Sequence, residues 1–108
     1  MAPGSFLGEF ELVVLLAVMQ LGDDAYAIAI RDHIVTRAER KVTRGALYAT
    51  LERLERKGFL AWEVDESTPA RGGMPRRRFS VTRGGVEAVR TSQTMIARLS
   101  EGLEEALG

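Results

Sequence analysis

The stretch Val42-Thr43-Arg44-Gly45-Ala46-Leu47-Tyr48-Ala49-Thr50-Leu51-Glu52-Arg53-Leu54-Glu55-Arg56-Lys57-Gly58-Phe59-Leu60 constrains this chain more than any other. Thr43 suits an N-cap, because its hydroxyl accepts one of the N–H groups that a first helical turn leaves without a partner. Leu47, Leu51 and Leu54 follow at helical spacing, and Gly58 is a helix stop. On a helical wheel the leucines share one face. Gly45, Ala49, Glu52 and Arg56 point away from them, with Arg44, Tyr48 and Arg53 on the flanks. Gly45 and Ala49 have almost no side chain, so the leading half of the outer face is nearly bare. Such a helix can lie close against another surface, and its basic flanks suggest a polyanion. That is the profile of a recognition helix.

The segments before it read as two further helices. Ser5 is the expected N-cap of a helix from Phe6 to Leu21, with Phe10, Val13, Val14, Ala17 and Leu21 as an apolar stripe and Gly22 as its end. After Glu11 this helix is apolar almost all round, which places it in the core or at an interface. Asp24 is the expected cap of a second helix from Ala25 to about Arg37, with Tyr26, Ile30 and Ile34 on its buried side. The only histidine, His33, lies at the edge of that stripe and reads as a packed or capping residue. Arg40, Lys41 and Val42 then make a short extended connector. Two helices joined this closely, the second basic on its exposed flanks, read as a helix-turn-helix.

After Gly58 the period changes. Leu60, Trp62 and Val64 alternate with Ala61, Glu63 and Asp65, and Phe79 and Val81 alternate with Arg78 and Ser80, so two strands are expected. Between them, residues 67–75 (Ser-Thr-Pro-Ala-Arg-Gly-Gly-Met-Pro) are rich in turn formers. Strand, basic loop and strand after a recognition helix make a wing. Thr82 then caps a last helix expected to run to about Ala106. On it Val89, Ser92, Ile96, Leu99, Leu103 and Ala106 recur at alternating steps of three and four, a coiled-coil-like seam. The expected division is a winged helix-turn-helix at 1–82 and a dimerisation helix at 83–108. A second copy covers the seam in this reading; the competing one folds the helix back on the first. The fold class is therefore mainly α with a small β-hairpin.

A chain of 108 residues makes one small domain, whose modest core leaves room for a second subunit to add to it. Formal net charge is zero, but its distribution is not even. Residues 71–83 carry Arg71, Arg76, Arg77, Arg78 and Arg83 and no acid, and Arg37 to Lys57 is also mainly basic. A neutral protein with one basic face remains a credible phosphate binder. With no cysteine there is no disulfide or thiolate metal site, which fits a cytoplasmic protein. The first residues lack a charged n-region, so no signal peptide is expected, and the apolar run Leu12 to Met19 is too short to cross a bilayer. Neither catalytic nor metal-binding residues are expected, nor a cofactor. One edge histidine, no cysteine and no phosphate-cradling glycine loop after a strand leave no enzyme motif.

From Gly45 to Leu60 the chain resembles the G-x-L-Y-x-x-L-x-R-L-x-x-x-G-hydrophobic motif of PadR-type transcriptional regulators. Residues 73–82, Gly-Met-Pro-Arg-Arg-Arg-Phe-Ser-Val-Thr, are similar to the wing of the same family. Met74 stands where a basic residue is usual there, and Arg78 where an aromatic one is. Asp24-Ala25 precede Tyr26 where the family often has His-Gly. The size is similar to that of the compact subfamily, whose single C-terminal helix builds the dimer. The resemblance implies a homodimeric winged helix-turn-helix repressor that binds near-palindromic promoter DNA. Some relatives release DNA on binding a small, often aromatic, molecule at or near the dimer interface, which makes a small-molecule effector a candidate partner, though effector chemistry does not carry over. Relatives that sandwich flat drugs use a tryptophan of the last helix, and this helix has no aromatic residue. Trp62 reads instead as a core residue of the first wing strand.

Residue chemistry points the same way. Lys41, Arg44, Arg76 and Arg77 can neutralise phosphates, which sets affinity without reading sequence. Thr43, Gly45, Tyr48, Ala49 and Arg53 complete the expected DNA surface. Tyr48 can donate to a phosphate or simply pack beside Leu47 and Leu51. Gly45, Ala46 and Ala49 can touch thymine methyl groups, and with few long polar side chains there, part of any specificity comes from DNA shape. Val89, Ile96, Leu99 and Leu103 are the expected dimer residues. The alternative function is a winged-helix module that binds protein and not DNA.

Overall fold

The computed structural model describes residues 6–66 and 75–108. In chain order they form α1 (Glu9–Leu21), a 3-10 turn (Gly22–Asp24), α2 (Ala27–Arg37), α3 (Arg44–Arg56), β1 (Leu60–Asp65), β2 (Arg76–Val81), α4 (Arg83–Ser100) and a short α5 (Glu104–Leu107). The strands pair antiparallel, with Leu60 opposite Val81, Trp62 opposite Phe79 and Val64 opposite Arg77. No described helix is long and apolar enough to cross a membrane.

One core joins all the main elements. Val14, Leu15 and Val18 of α1, Ile30 and Ile34 of α2, Leu47, Leu51 and Leu54 of α3, Leu60 and Phe79 of the hairpin and Val89 of α4 are all buried in it. The first half of α4 thus packs into the winged unit, and Gly85 shows how closely. A Cβ there would lie 2.2 Å from the Phe59 carbonyl oxygen and 2.6 Å from Val81 Cγ1, inside van der Waals contact. Only glycine lets α4 close onto the base of the hairpin.

Several expected boundaries move. The first helix begins at Glu9 and not at Phe6; its N-cap is Gly8, and Ser5 lies outside the described residues. Glu11 decides this start, because its carboxylate accepts the Gly8 N–H at 2.8 Å and satisfies a first-turn donor. The second helix begins at Ala27, and Asp24 belongs to the 3-10 turn before it. Ala25 and Tyr26 serve the hairpin instead. Phe79 N–H donates to the Ala25 carbonyl at 2.8 Å, and Tyr26 forms an isolated bridge with Arg78. The outer edge of β2 would otherwise carry backbone groups without partners.

The last helix stops at Ser100 and not near Ala106. Gly102 takes φ +84°, Leu103 N–H returns to the Ser100 carbonyl at 3.0 Å, and α5 restarts at Glu104. Glycine costs about 1 kcal/mol in a helix interior, so the turn forms where the helix is weakest. In the hairpin, Trp62 is half-buried and Val64 exposed, because β1 runs past the end of the core.

Candidate nucleic-acid interface

Helix α3 owes its start and stop to local chemistry. Thr43 Oγ1 accepts the Ala46 N–H at 3.1 Å. At the other end Gly58 takes φ +80°, while Gly58 N–H donates to the Glu55 carbonyl and Phe59 N–H to that of Leu54. These two bonds are the Schellman pair, which satisfies carbonyls that the helix end leaves open. Ahead of α3, Arg31 Nε donates to the Val42 carbonyl at 2.8 Å and closes the turn between α2 and α3.

With its leucines buried, α3 presents Arg44, Gly45, Ala46, Tyr48, Ala49 and Glu52 to solvent, and Lys41 and Thr43 are exposed just ahead of it. Arg53 stands differently. Its Nε donates to Glu11 Oε2 at 3.1 Å and its Nη2 to Thr50 Oγ1 at 3.3 Å. Lys57 Nζ reaches both oxygens of the same carboxylate, at 3.0 and 2.8 Å. Glu11 is only 5% exposed. Burial pushes its carboxyl up, but the bonds from Lys57, Gly8 and Arg53 outweigh that, so its pKa lies below the ordinary glutamate value. The charge of Arg53, which stays exposed, is therefore shared with the buried Glu11. Similarly, Arg40 donates to Glu9 at 2.5 Å and lies 5.0 Å over the Phe10 ring.

Arg76 and Arg77 open strand β2, and each faces an aromatic ring. The Arg76 guanidinium carbon is 3.7 Å from the Tyr26 ring centre, and that of Arg77 is 4.5 Å from the Trp62 ring centre. Each ring is itself tied to a carboxylate: Tyr26 Oη donates to Asp65 at 2.5 Å, and Trp62 Nε1 to Glu55 at 2.7 Å. The bond to Asp65 raises the Tyr26 pKa above its ordinary value, with desolvation second. Arg78 donates to Glu63 at 2.7 Å across the hairpin. Of the expected basic loop, 67–75, residues 67–74 lie outside the described residues.

A groove of about 720 Å³ runs between the start of α2, the flank of α3 and the start of β2, lined among others by Tyr26, Ile28, Tyr48, Glu52, Arg76 and Arg77. It brings together expected DNA residues from two separate elements. The positive end of the α2 dipole borders it as well. Sequence reasoning missed Tyr26, Trp62, Asp65 and Glu55 here, since ring-to-cation contacts between distant segments leave no spacing pattern.

The expected dimer residues divide. Val89 is 4% exposed and belongs to the chain's own core, so it has no surface to offer a partner. Ile96, Leu99 and Leu103 are exposed, together with Phe6, Met95 and Leu107. A hollow of about 520 Å³ lies between Phe6 and α4, bordered by Thr91, Met95 and Leu99. His33 Nε2 is 2.7 Å from Gln20 Oε1, and among the described residues no group of His, Cys, Asp and Glu could hold a metal ion.

A capped helix with a bare outer face, a preceding helix across a short turn and a hairpin bearing adjacent arginines define a winged helix-turn-helix DNA-binding regulator. The comparisons narrow the class. The model of the Transcriptional regulator PadR-like family matches residues 15–91, and the chain belongs to that family. No curated protein matches the sequence. Among solved structures, a PadR-like transcription factor from Bacteroides fragilis is 26% identical, with 90% of this chain and 88% of that one covered at a TM-score of 0.70. A PadR family regulator from Eggerthella lenta is also 26% identical, with 92% and 86% covered at 0.69. One from Clostridium difficile shares the fold at 21% identity and a TM-score of 0.65, with 90% and 98% covered. As a PadR-like transcription regulator the protein is not an enzyme.

Proposed function

We propose that the protein is a repressor that binds a near-palindromic operator as a homodimer. The N-terminal half of α3 enters the major groove, and Arg76 and Arg77 of β2 lie against the adjacent backbone. The observation that carries this reading is the exposed, nearly bare face of Gly45, Ala46 and Ala49, flanked by Arg44 and Tyr48. Such a face lets the helix backbone approach base edges closely and leaves thymine methyl contacts and DNA shape to select sequence. Lys41, Thr43 and Arg44 stand at the mouth of the groove and meet phosphates.

The exposed apolar side chains of Ile96, Leu99 and Leu103 support the homodimer, since large apolar groups that their own chain leaves uncovered favour a partner surface. Two-fold pairing sets two recognition helices against half-sites about one helical turn apart, or a multiple of that. Release by a small-molecule effector belongs to the same reading, with the hollow between Phe6 and α4 as the concavity beside the dimer face.

Selection of bound duplexes from a random pool tests the proposal. The expected outcome is a two-fold repeated motif holding two protomers per duplex, with binding abolished in Ala49→Glu, which places a carboxylate among phosphates and base acceptors. Full binding by Ala49→Glu would show that another face carries the interaction.

A further inference from the structure

Arg76 and Arg77 are neighbours in a strand, so their side chains leave on opposite faces of the hairpin. Yet each guanidinium meets the same arrangement, an aromatic ring whose polar atom is held by a carboxylate. On one face the order is Asp65, Tyr26, Arg76, with 2.5 Å from hydroxyl to carboxylate and 3.7 Å from cation to ring centre. On the other it is Glu55, Trp62, Arg77, at 2.7 and 4.5 Å. The parts come from four regions: the start of α2, the recognition helix and both strands.

We infer that Tyr26 and Trp62 are positioning residues that seat Arg76 and Arg77 for the phosphate backbone of duplex DNA. The inference rests on the DNA reading above and says how the wing performs it. A guanidinium stacked on a ring is held by its face, while its donors lie in the plane around its rim. Stacking therefore fixes the plane of the guanidinium, although at Arg76 the Nε is turned inward. Long arginine side chains otherwise lose rotamer entropy when a phosphate immobilises them, and a seat bears part of that cost before DNA arrives. Both arginines and Tyr26 line the groove that Tyr48 borders from the recognition helix. The Arg76 seat and Tyr48 border the same groove, while the Arg77 seat, with Trp62, lies on the other face of the hairpin. The carboxylates act through the rings: Glu55 also belongs to α3, so the Trp62 seat is registered to the recognition helix itself.

A double-mutant cycle on random-sequence duplex at low salt tests this, because phosphate contacts do not depend on sequence. Trp62→Leu removes the ring face and should weaken binding roughly threefold to tenfold, and Tyr26→Leu by a similar factor. Trp62→Phe and Tyr26→Phe keep a ring and should recover most of it. The decisive result is non-additivity: Trp62→Leu in the Arg77→Ala background should cost nothing further, and likewise Tyr26→Leu with Arg76→Ala. A structural role would give equal losses in both backgrounds, and that outcome overturns the seats.

Trp62 is the only tryptophan, so its emission supplies a second measurement on the unaltered protein should a leucine variant fail to fold. Bound phosphates beside Arg77 should exclude iodide and reduce its quenching of Trp62. Unchanged quenching at saturating duplex overturns the inference. A wild-type protein that ignores duplex altogether overturns the DNA reading and the seats with it, whereas duplex binding with additive losses overturns the seats alone.

Discussion

Helices α3 and α4 carry the same kind of apolar stripe and meet opposite surroundings. Leu47, Leu51 and Leu54 of α3 are 1%, 3% and 0% exposed, whereas Ile96, Leu99 and Leu103 on and just beyond α4 are 50%, 73% and 47% exposed. Spacing does not separate them; neighbours do. Helix α3 lies against α1, α2 and β1, while the second half of α4 runs past the core. Even within α4 the division is visible, since Ala88, Val89 and Ser92 are buried and Met95 onward is not. An apolar stripe states that a face favours burial. It does not state which chain provides the cover.

The contrast is most sensitive at the buried end. Leu54→Ala should cost about 2–5 kcal/mol, because it removes core packing and leaves a cavity that a small domain closes only in part. Thermal denaturation would register it, at roughly 4–8 °C per kcal/mol for a chain of this size. A loss below about 1 kcal/mol would mean that the α3 stripe is not core.

Next comes the carboxylate that ties α3 to α1. Glu11→Gln removes the charge to which Arg53 and Lys57 donate, and should cost about 2 kcal/mol; the two cations stay partly solvated, which keeps the loss below that of a fully buried pair. The sign with pH follows from its lowered pKa. Between that value and the ordinary 4.5 the folded state holds fewer protons on Glu11 than the unfolded state does, so acid favours unfolding there. The stability gap between wild type and Glu11→Gln should be full above about pH 4.5 and shrink as pH falls through the folded value. Denaturant titrations across that range check it; a gap independent of pH would mean that Glu11 contributes by packing alone.

At the exposed end the protomer should hardly notice substitution. Leu99→Asp with Leu103→Asp should change protomer stability by no more than about 0.5 kcal/mol per site, in line with surface positions generally, yet yield a monomer by light scattering. If wild type scatters as a monomer at micromolar concentration, the apolar face of α4 does not join two copies.

The smallest effect on stability is expected at the flank of α3 that we propose faces DNA. Arg44→Ala should leave the melting temperature within error and lower the slope of log affinity against log salt by about 1 for each phosphate that the side chain had neutralised. Filter binding across a salt series measures this. An unchanged slope would remove Arg44 from the backbone contacts.

Features written within a few residues of one another could be read directly from the chain. The Thr43 cap, the Leu47-Leu51-Leu54 stripe, the Gly58 stop and the alternation in both strands follow from local donors, helical spacing and strand period, and the structure places them where these rules lead. The break at Gly102 is not among them, because the regular spacing of the seam points through it and backbone preference prevails where no packing opposes it. The remaining features exist only in the folded molecule. Glu11 meets Arg53 and Lys57 from 42 and 46 positions away, Tyr26 meets Asp65 from 39, and Gly85 is required by the Phe59 carbonyl. Val89 and Leu99 belong to one seam, and only the fold assigns the first to this chain's core and leaves the second exposed. The difference is one of range. Caps, turns and periodicity act between near neighbours, whereas burial, ion pairing and ring stacking depend on which distant segments the folded chain brings together.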